Sequence, residues 1–224
     1  MKEELYRADP PSQTAFPIAK AGMPYILAAA FVTLIMALLD MKCLTFMGIL
    51  ATLFICLFFR DPDRLIPKVE NAVVSPADGR VIIVETLSGN RFTDAPCLRI
   101  SIFMSVFNVH VNRNPYDGTV KAVQYYPGKF FSADLDKASA SNEHNAVMVE
   151  LPDGKSMGVV QIAGLIARRI ICGVQKGDRV SRGARFGMIC FGSRLDVYLP
   201  ADTRPEVSVG DRVSSGSSVL GILS

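Results

Sequence analysis

Val174-Gln-Lys-Gly-Asp-Arg-Val-Ser-Arg-Gly183 and Val207-Ser-Val-Gly-Asp-Arg-Val-Ser-Ser-Gly216 are two copies of one pattern, 33 residues apart. Each reads as a strand, a Gly-Asp turn, a short strand and a second glycine turn, and each reaches another glycine soon after, Gly187 and Gly221. Working outward, the same texture continues. From Val73-Val74 onward, short β-type runs are punctuated by glycine and proline. They are Arg80–Val84, Leu98–Phe103, Val106–Val111, Val120–Tyr126, Ala146–Leu151, Met157–Ile162, Ile170–Val174, Phe186–Phe191, Leu195–Leu199 and Val219–Leu223. Turn signals at Asp78-Gly79, Asp117-Gly118 and Asp153-Gly154 separate them. One helical patch is expected over Gly164–Arg169. Lys129–Asn145 reads as a long loop, and loops of that length inside compact domains often serve as lids.

The repeated unit resembles the hairpins of biotinyl and lipoyl carrier domains and of barrel-sandwich hybrids. Val73–Val84 is expected to supply a related hairpin across a pseudo-twofold. The predicted fold is therefore mainly β: a barrel-sandwich, lipoyl-like hairpin domain preceded by an N-terminal hydrophobic helical hairpin.

That second element is read from charge. Between Met23 and Phe59 the only charged residues are Asp40 and Lys42, which divide the stretch into apolar runs of 16 and 17 residues, Pro24–Leu39 and Cys43–Phe59. At about 1.5 Å per residue each helix would cover roughly 25 Å, a little short of a bilayer core of about 30 Å. A buried hairpin in a soluble core is the plainer reading, but almost no polar face is left to meet water. Lys2, Arg7 and Lys20 precede the pair; Arg60, Arg64 and Lys68 follow it. Two basic flanks place both ends, and the domain beyond, on the cytoplasmic side of the cell membrane. The expected organisation is a basic leader over 1–22, a membrane-associated hairpin over 23–60 and a β-rich catalytic domain over 61–224. Five cysteines without a C-x-x-C give no disulfide framework, and two histidines give no His-rich metal centre. A net charge of +3 is too weak to argue for nucleic acid.

The chemistry centres on Phe191-Gly192-Ser193-Arg194, between the two repeat copies. A Gly-Ser bond on a tight turn is a candidate for self-attack, because glycine leaves its carbonyl sterically open to the serine hydroxyl. A base must take the hydroxyl proton, and imidazole suits neutral pH. The choice is between His110, at the end of an apolar alternation, and His144, in the polar loop; His110 is favoured because a strand would hold its ring. A carboxylate commonly orients such a base, and Asp78 in Ser75-Pro-Ala-Asp-Gly79 is the candidate. Taken singly, each has a plain structural reading: a turn serine, a half-buried strand histidine and a turn aspartate.

Taken together, these residues resemble a family. Phe58-Phe-Arg-Asp-Pro62, Val74-Ser-Pro-Ala-Asp-Gly79, Asn108-Val-His-Val-Asn-Arg113, Lys137-Ala-Ser139 with Asn142-Glu143, Gln161-Ile-Ala-Gly-Leu-Ile-Ala-Arg-Arg169 and Arg185-Phe-Gly-Met-Ile-Cys-Phe-Gly-Ser-Arg194 resemble phosphatidylserine decarboxylase, in its short prokaryotic branch with Phe-Gly-Ser-Arg. Two departures stand out. His144 occupies a place where arginine is expected, and Phe107 replaces an additional histidine of the longer enzymes. The resemblance implies self-cleavage into a β chain, 1–192, and an α chain, 193–224, held as a heterodimer. Ser193 becomes a pyruvoyl group, a covalent pyruvate cofactor without metal or pyridoxal phosphate. Through a Schiff base to that ketone, phosphatidylserine loses carbon dioxide and leaves as phosphatidylethanolamine. The implied partners are this lipid and the membrane, with homo-oligomerisation left open and nucleic acid excluded. Phe130 and Phe131 in the long loop are expected to meet lipid. Lys129, Arg168, Arg169 and Arg194 are candidates to pair with its phosphate or carboxylate.

Two other classes compete. A membrane-anchored lipoyl-like adaptor without activity fits the hairpins, but Gly177-Asp178 and Gly210-Asp211 stand where a carrier lysine belongs. A serine hydrolase would want the G-x-S-x-G elbow, which Gly192-Ser193 lacks.

Overall fold

A computed structural model of the chain describes residues 5–9, 16–89, 95–131, 141–165, 169–190 and 192–224. The chain divides into two compact units, Ser12–Asp63 and Met1–Pro11 with Arg64–Ser224.

The smaller unit is a helical pair, α1 (Met23–Leu38) and α2 (Lys42–Phe58). Proline in the first turn of α1 lacks an N–H that would have had no partner there. Asp40 turns the chain with a left-handed φ of 55°. Thr33 and Thr52 donate to the carbonyls of Ala29 and Gly48, both at 2.8 Å, and their hydroxyls meet across the pair at 3.4 Å. Gly48 permits this approach, since a Cβ there would stand 2.6 Å from Thr33 Oγ1. No side chain of α1 is buried, and Phe58 is the only one in α2. Apolar surface on this scale is what a bilayer covers. The helical segment Lys20–Leu38 is long and apolar enough to cross a membrane; α2 is a shorter apolar helix.

Among its described residues the larger unit has sixteen strands. They are β1 (Leu5–Tyr6), β2 (Ile66–Pro67), β3 (Ala72–Val74), β4 (Gly79–Leu87), β5 (Cys97–Met104), β6 (Val111–Arg113), β7 (Gly118–Tyr126), β8 (His144–Glu150), β9 (Ser156–Ala163), β10 (Arg169–Cys172), β11 (Arg179–Val180), β12 (Arg185–Cys190), β13 (Ser193–Pro200), β14 (Arg204–Pro205), β15 (Arg212–Val213) and β16 (Val219–Ile222). An eight-stranded sheet runs β11-β7-β8-β9-β13-β5-β4-β15. Two three-stranded sheets, β10-β12-β6 and β14-β16-β3, contribute to the same core, which joins Leu195, Val197 and Leu199 of β13 to Phe186 and Ile189 of β12 and to Val73 and Leu220. The mainly β prediction holds, as does the helical hairpin before it.

The repeat copies occupy the two edges of the large sheet. β11 pairs with β7, and β15 with β4. Gly177 donates to Val120 O and Gly210 to Val81 O, both at 2.8 Å, with φ of 96° and 103° that glycine alone adopts easily. The edges reveal a second repeat: Ser75-Pro-Ala-Asp-Gly-Arg-Val81 and Asn114-Pro-Tyr-Asp-Gly-Thr-Val120 begin equivalent strands.

Two local expectations change. Val106–Val111 is not a strand. Asn108 Oδ1 accepts from the Ser105 amide at 2.9 Å and its hydroxyl at 2.8 Å, closing a turn, and extended pairing starts only at Val111. Of the helix expected over Gly164–Arg169 the described residues show none: Gly164 and Leu165 are irregular and Arg169 begins β10, while 166–168 lie outside the described residues. Leu5–Asp9, read as leader, belong to the β unit. β1 pairs with β2, and Asp9 Oδ2 accepts from Arg113 at 3.1 Å and Arg185 at 2.8 Å.

Candidate active site

The Gly192-Ser193 bond lies where the chain passes from the small sheet to the large one. β12 ends at Cys190 and β13 begins at Ser193; Phe191 lies outside the described residues. Gly192 has φ of 43°, and a Cβ built on it meets nothing within 4 Å. The residue is glycine for its conformation rather than for space, and its surroundings are open. Ser193, by contrast, is fully buried. It is paired across β13 with Met104 on one side and Ala163 on the other. Its hydroxyl donates to Met104 Sδ at 3.4 Å. A thioether is a weak acceptor and no base, so the serine sits as a neutral hydroxyl beside an accessible glycine.

His110 is fully buried, with Nδ1 2.9 Å from Asn108 O. It follows the Ser105–Asn108 turn and leads directly into β6, whose Val111 pairs with Met188. Continuing that register puts His110 beside Ile189, three residues before Gly192. The ring is held by a turn and a burial site rather than by the middle of a strand.

His144 opens β8, is buried, stacks on Tyr126 with ring centroids 4.7 Å apart, and has Nδ1 2.7 Å from Asn142 O. Its register partner Ile162 is also that of Arg194, so His144 lies two strands from the residue after Ser193.

Asp78 makes no bond to His110. Arg64 Nη2 approaches both carboxylate oxygens, at 2.9 and 2.8 Å, and the Ser215 amide donates to Oδ1 at 2.8 Å. Its twin in the second repeat, Asp117, accepts from the Arg182 amide in the same way at 2.8 Å. The backbone bond is thus a shared feature of the turn, and the charge pair with Arg64 is peculiar to Asp78. The turn also touches β6, since the Arg113 amide donates to Pro76 O at 2.9 Å.

Of the cations considered for a headgroup, Arg194 is fully buried. Its Nε donates to Asp196 Oδ1 at 2.6 Å and its Nη2 to Ser101 Oγ at 2.9 Å. It locks the start of β13 instead of facing a ligand. Arg169 is exposed, opposite Cys190 in the β10–β12 ladder. Lys129 Nζ lies 5.9 Å from the centroid of the Phe131 ring. Arg168 and 132–140 of the long loop lie outside the described residues. Burial pushes the Cys190 thiol up, partly offset by Arg169, so it stays a neutral thiol near the Gly-Ser turn.

Sequence reasoning missed Met104, Arg64 and Asp196. Met104 looked like one more apolar strand residue and Arg64 like part of a charged exit from the hairpin; neither carries a sequence signal of its own.

Residues 51–221 match the family model described as Phosphatidylserine decarboxylase. The phosphatidylserine decarboxylase proenzyme of Syntrophus aciditrophicus (strain SB) is 50% identical over 205 residues, 91% of this chain and 96% of that one. The proenzyme of Desulfotalea psychrophila (strain LSv54 / DSM 12343) is 47% identical over 209 residues, 93% and 98% of the two chains. That of Ralstonia nicotianae (strain ATCC BAA-1114 / GMI1000) is 50% identical over 206 residues, 92% and 95%. With likeness of this depth running through the Gly192-Ser193 turn and nearly all the rest, the chain belongs to the phosphatidylserine decarboxylase family.

Proposed function

We propose that this decarboxylase is made as a proenzyme that cuts itself between Gly192 and Ser193, and that the mature protein converts phosphatidylserine to phosphatidylethanolamine and carbon dioxide. The observation that carries the reading is the pairing of an open, left-handed glycine with a buried serine at the head of a central strand. The relatives' name, proenzyme, supports it.

The cut is written from this chain's own atoms. Ser193 Oγ turns from Met104 and attacks the Gly192 carbonyl carbon. His110 takes the hydroxyl proton and delivers it to the Ser193 nitrogen as the C–N bond breaks, leaving an ester. Loss of the Ser193 α-proton then breaks the Cβ–Oγ bond. This frees a carboxylate on Gly192 and leaves a dehydroalanine at 193. Its enamine tautomerises, water adds and ammonia leaves, giving a pyruvoyl group. The site fits such a group: residue 193 would be held between Met104 and Ala163, with Arg194 anchored to Asp196. Once formed, the ketone supplies an electron sink for decarboxylation of an amine-bearing substrate.

Asp78 supports the cut at a distance. Paired with Arg64, it fixes the turn on which the β6 backbone rests, and β6 follows His110 directly. Arg169 and Lys129 are the exposed cations proposed to meet the anionic headgroup. Phe130 and Phe131 are proposed to meet the acyl region. The helical pair is proposed as the membrane attachment, with both flanks and the catalytic domain cytoplasmic. Family membership sets aside the lipoyl-like adaptor.

Intact-mass analysis of the purified protein tests the reading. A fragment covering 193–224 and blocked to Edman chemistry is expected; a single uncut chain with full activity overturns it. Ser193→Ala is expected to abolish both cleavage and decarboxylation. His110→Ala should leave the precursor largely uncut. Asp78→Asn, which keeps an acceptor for the Ser215 amide, should cleave faster than Asp78→Ala.

A further inference from the structure

Among the buried carboxamides of the β unit, three are joined to one another: Asn112 and Gln161, fully buried, and Asn145, nearly so. They form a chain of donors that runs one way. Asn145 Nδ2 donates to Gln161 Oε1 at 3.1 Å. Gln161 Nε2 donates to Asn112 Oδ1 at 2.9 Å and to Ile171 O at 3.2 Å. Asn112 Nδ2 donates to Met104 Sδ at 4.0 Å, the sulfur that also accepts from the Ser193 hydroxyl. We propose that Gln161 is a positioning residue for self-cleavage, acting on the Ser193 hydroxyl through Asn112 and Met104. The proposal rests on the self-cleavage reading above.

The geometry gives Gln161 more reach than a core side chain needs. Its register partner on β13 is Leu195, two residues after Ser193. Asn112 stands two residues after His110, on the strand that His110 leads into. Ile171 lies on β10, which pairs with β12, the strand that runs to Gly192. The amide thus bonds to β6, which His110 leads into, and to β10, the neighbour of β12, while its own strand β9 pairs with β13. β12 comes close enough only because residue 187 is glycine. A Cβ there would stand 2.8 Å from Gln161 Nε2 and 2.4 Å from Ile171 O.

The amide's orientation is also decided. Gln161 Oε1 accepts once and Nε2 donates twice, so a flip would break every bond. That orientation sets Asn112 with its NH2 toward the sulfur. Without it, Asn112 can rotate and present Oδ1 to Met104, offering the Ser193 hydroxyl a competing acceptor. A packing role alone would be met by leucine or methionine, without three carboxamides desolvated in a core.

Maturation removes the hydroxyl, so its positioning affects the cut and not the later turnover. For the full chain made by cell-free synthesis on phospholipid vesicles, Gln161→Met is expected to slow precursor loss by roughly tenfold or more, the scale of a lost positioning hydrogen bond. Decarboxylase kcat/KM per cleaved chain should stay within about threefold of the parent. Hydroxylamine, which splits the ester, should not restore the rate, because the block precedes the ester. Cleavage at the parental rate overturns the proposal, as does full rescue by hydroxylamine or a loss of kcat/KM equal to the loss of cleavage. Melting in a Ser193→Ala background shows whether Gln161→Met folds. If it does not, Gln161→Glu decides: it keeps the shape and the acceptor for Asn145 but sets a carboxylate against Asn112 Oδ1, and slow cleavage is again expected. An uncut parent would sink the self-cleavage reading instead.

Discussion

At Gly192 the backbone, not the packing, selects the residue. With φ of 43° and empty space around a built Cβ, alanine would meet strain without a clash. Gly192→Ala is expected to fold, with stability lowered by about 1–2 kcal/mol, the cost of a left-handed L-residue. Its cleavage should be several-fold slower, since a methyl now flanks the attacked carbonyl; intact-mass time courses and urea midpoints read the two effects separately. Ser193 and His110 were singled out in the sequence because reactive residue types in a motif announce themselves, and the fold places them as buried residues near the Gly192 turn. The partner of Asp78 was not. Arg64 is 14 residues upstream in a stretch whose charges looked like a solvated linker, and only the folded turn brings the two within 2.8 Å. Arg194 misled for the opposite reason. An arginine beside a reacting bond suggests a ligand, yet Asp196, two residues on, takes its guanidinium into a site closed to water.

At the scale of elements, punctuation was more legible than pairing. The two Gly-Asp copies predicted two hairpins; that they lie on opposite edges of one sheet depends on register, which no local pattern states. Val106–Val111 alternated like a strand, but the Asn108 side chain closes a turn first. The strap over Leu5–Asp9 was hidden by its composition, which is that of a polar leader. Asp9 joins Arg113 of β6 to Arg185 of β12, and the Arg113 side chain is almost wholly buried. Asp9→Ala in a Ser193→Ala precursor should cost about 1–3 kcal/mol in the urea midpoint, because a buried cation loses a charged partner. Asp9→Glu should recover part of it. No change with alanine would show that the strap contributes nothing to the β6–β12 sheet.

For the whole molecule, the decisive fact is where β13 lies. It is hydrogen-bonded to β9 on one side and β5 on the other, with seven of its eight residues buried. A cut at its first residue leaves the ladder intact, so 193–224 should stay with 1–192 through purification and separate only in denaturant. Before the cut, unfolding is unimolecular; afterward it releases two pieces. Tm of the cleaved protein should therefore rise with protein concentration, while that of Ser193→Ala should not. Equal behaviour of the two would mean that the pieces do not part on unfolding. The consequence is a history built into the molecule. On the proposed cut, the central strand is threaded while the chain is continuous, and its covalent tether is then discarded. Each copy thus has one opportunity to reach its working form, and damage that unfolds it is repaired by synthesis rather than by refolding.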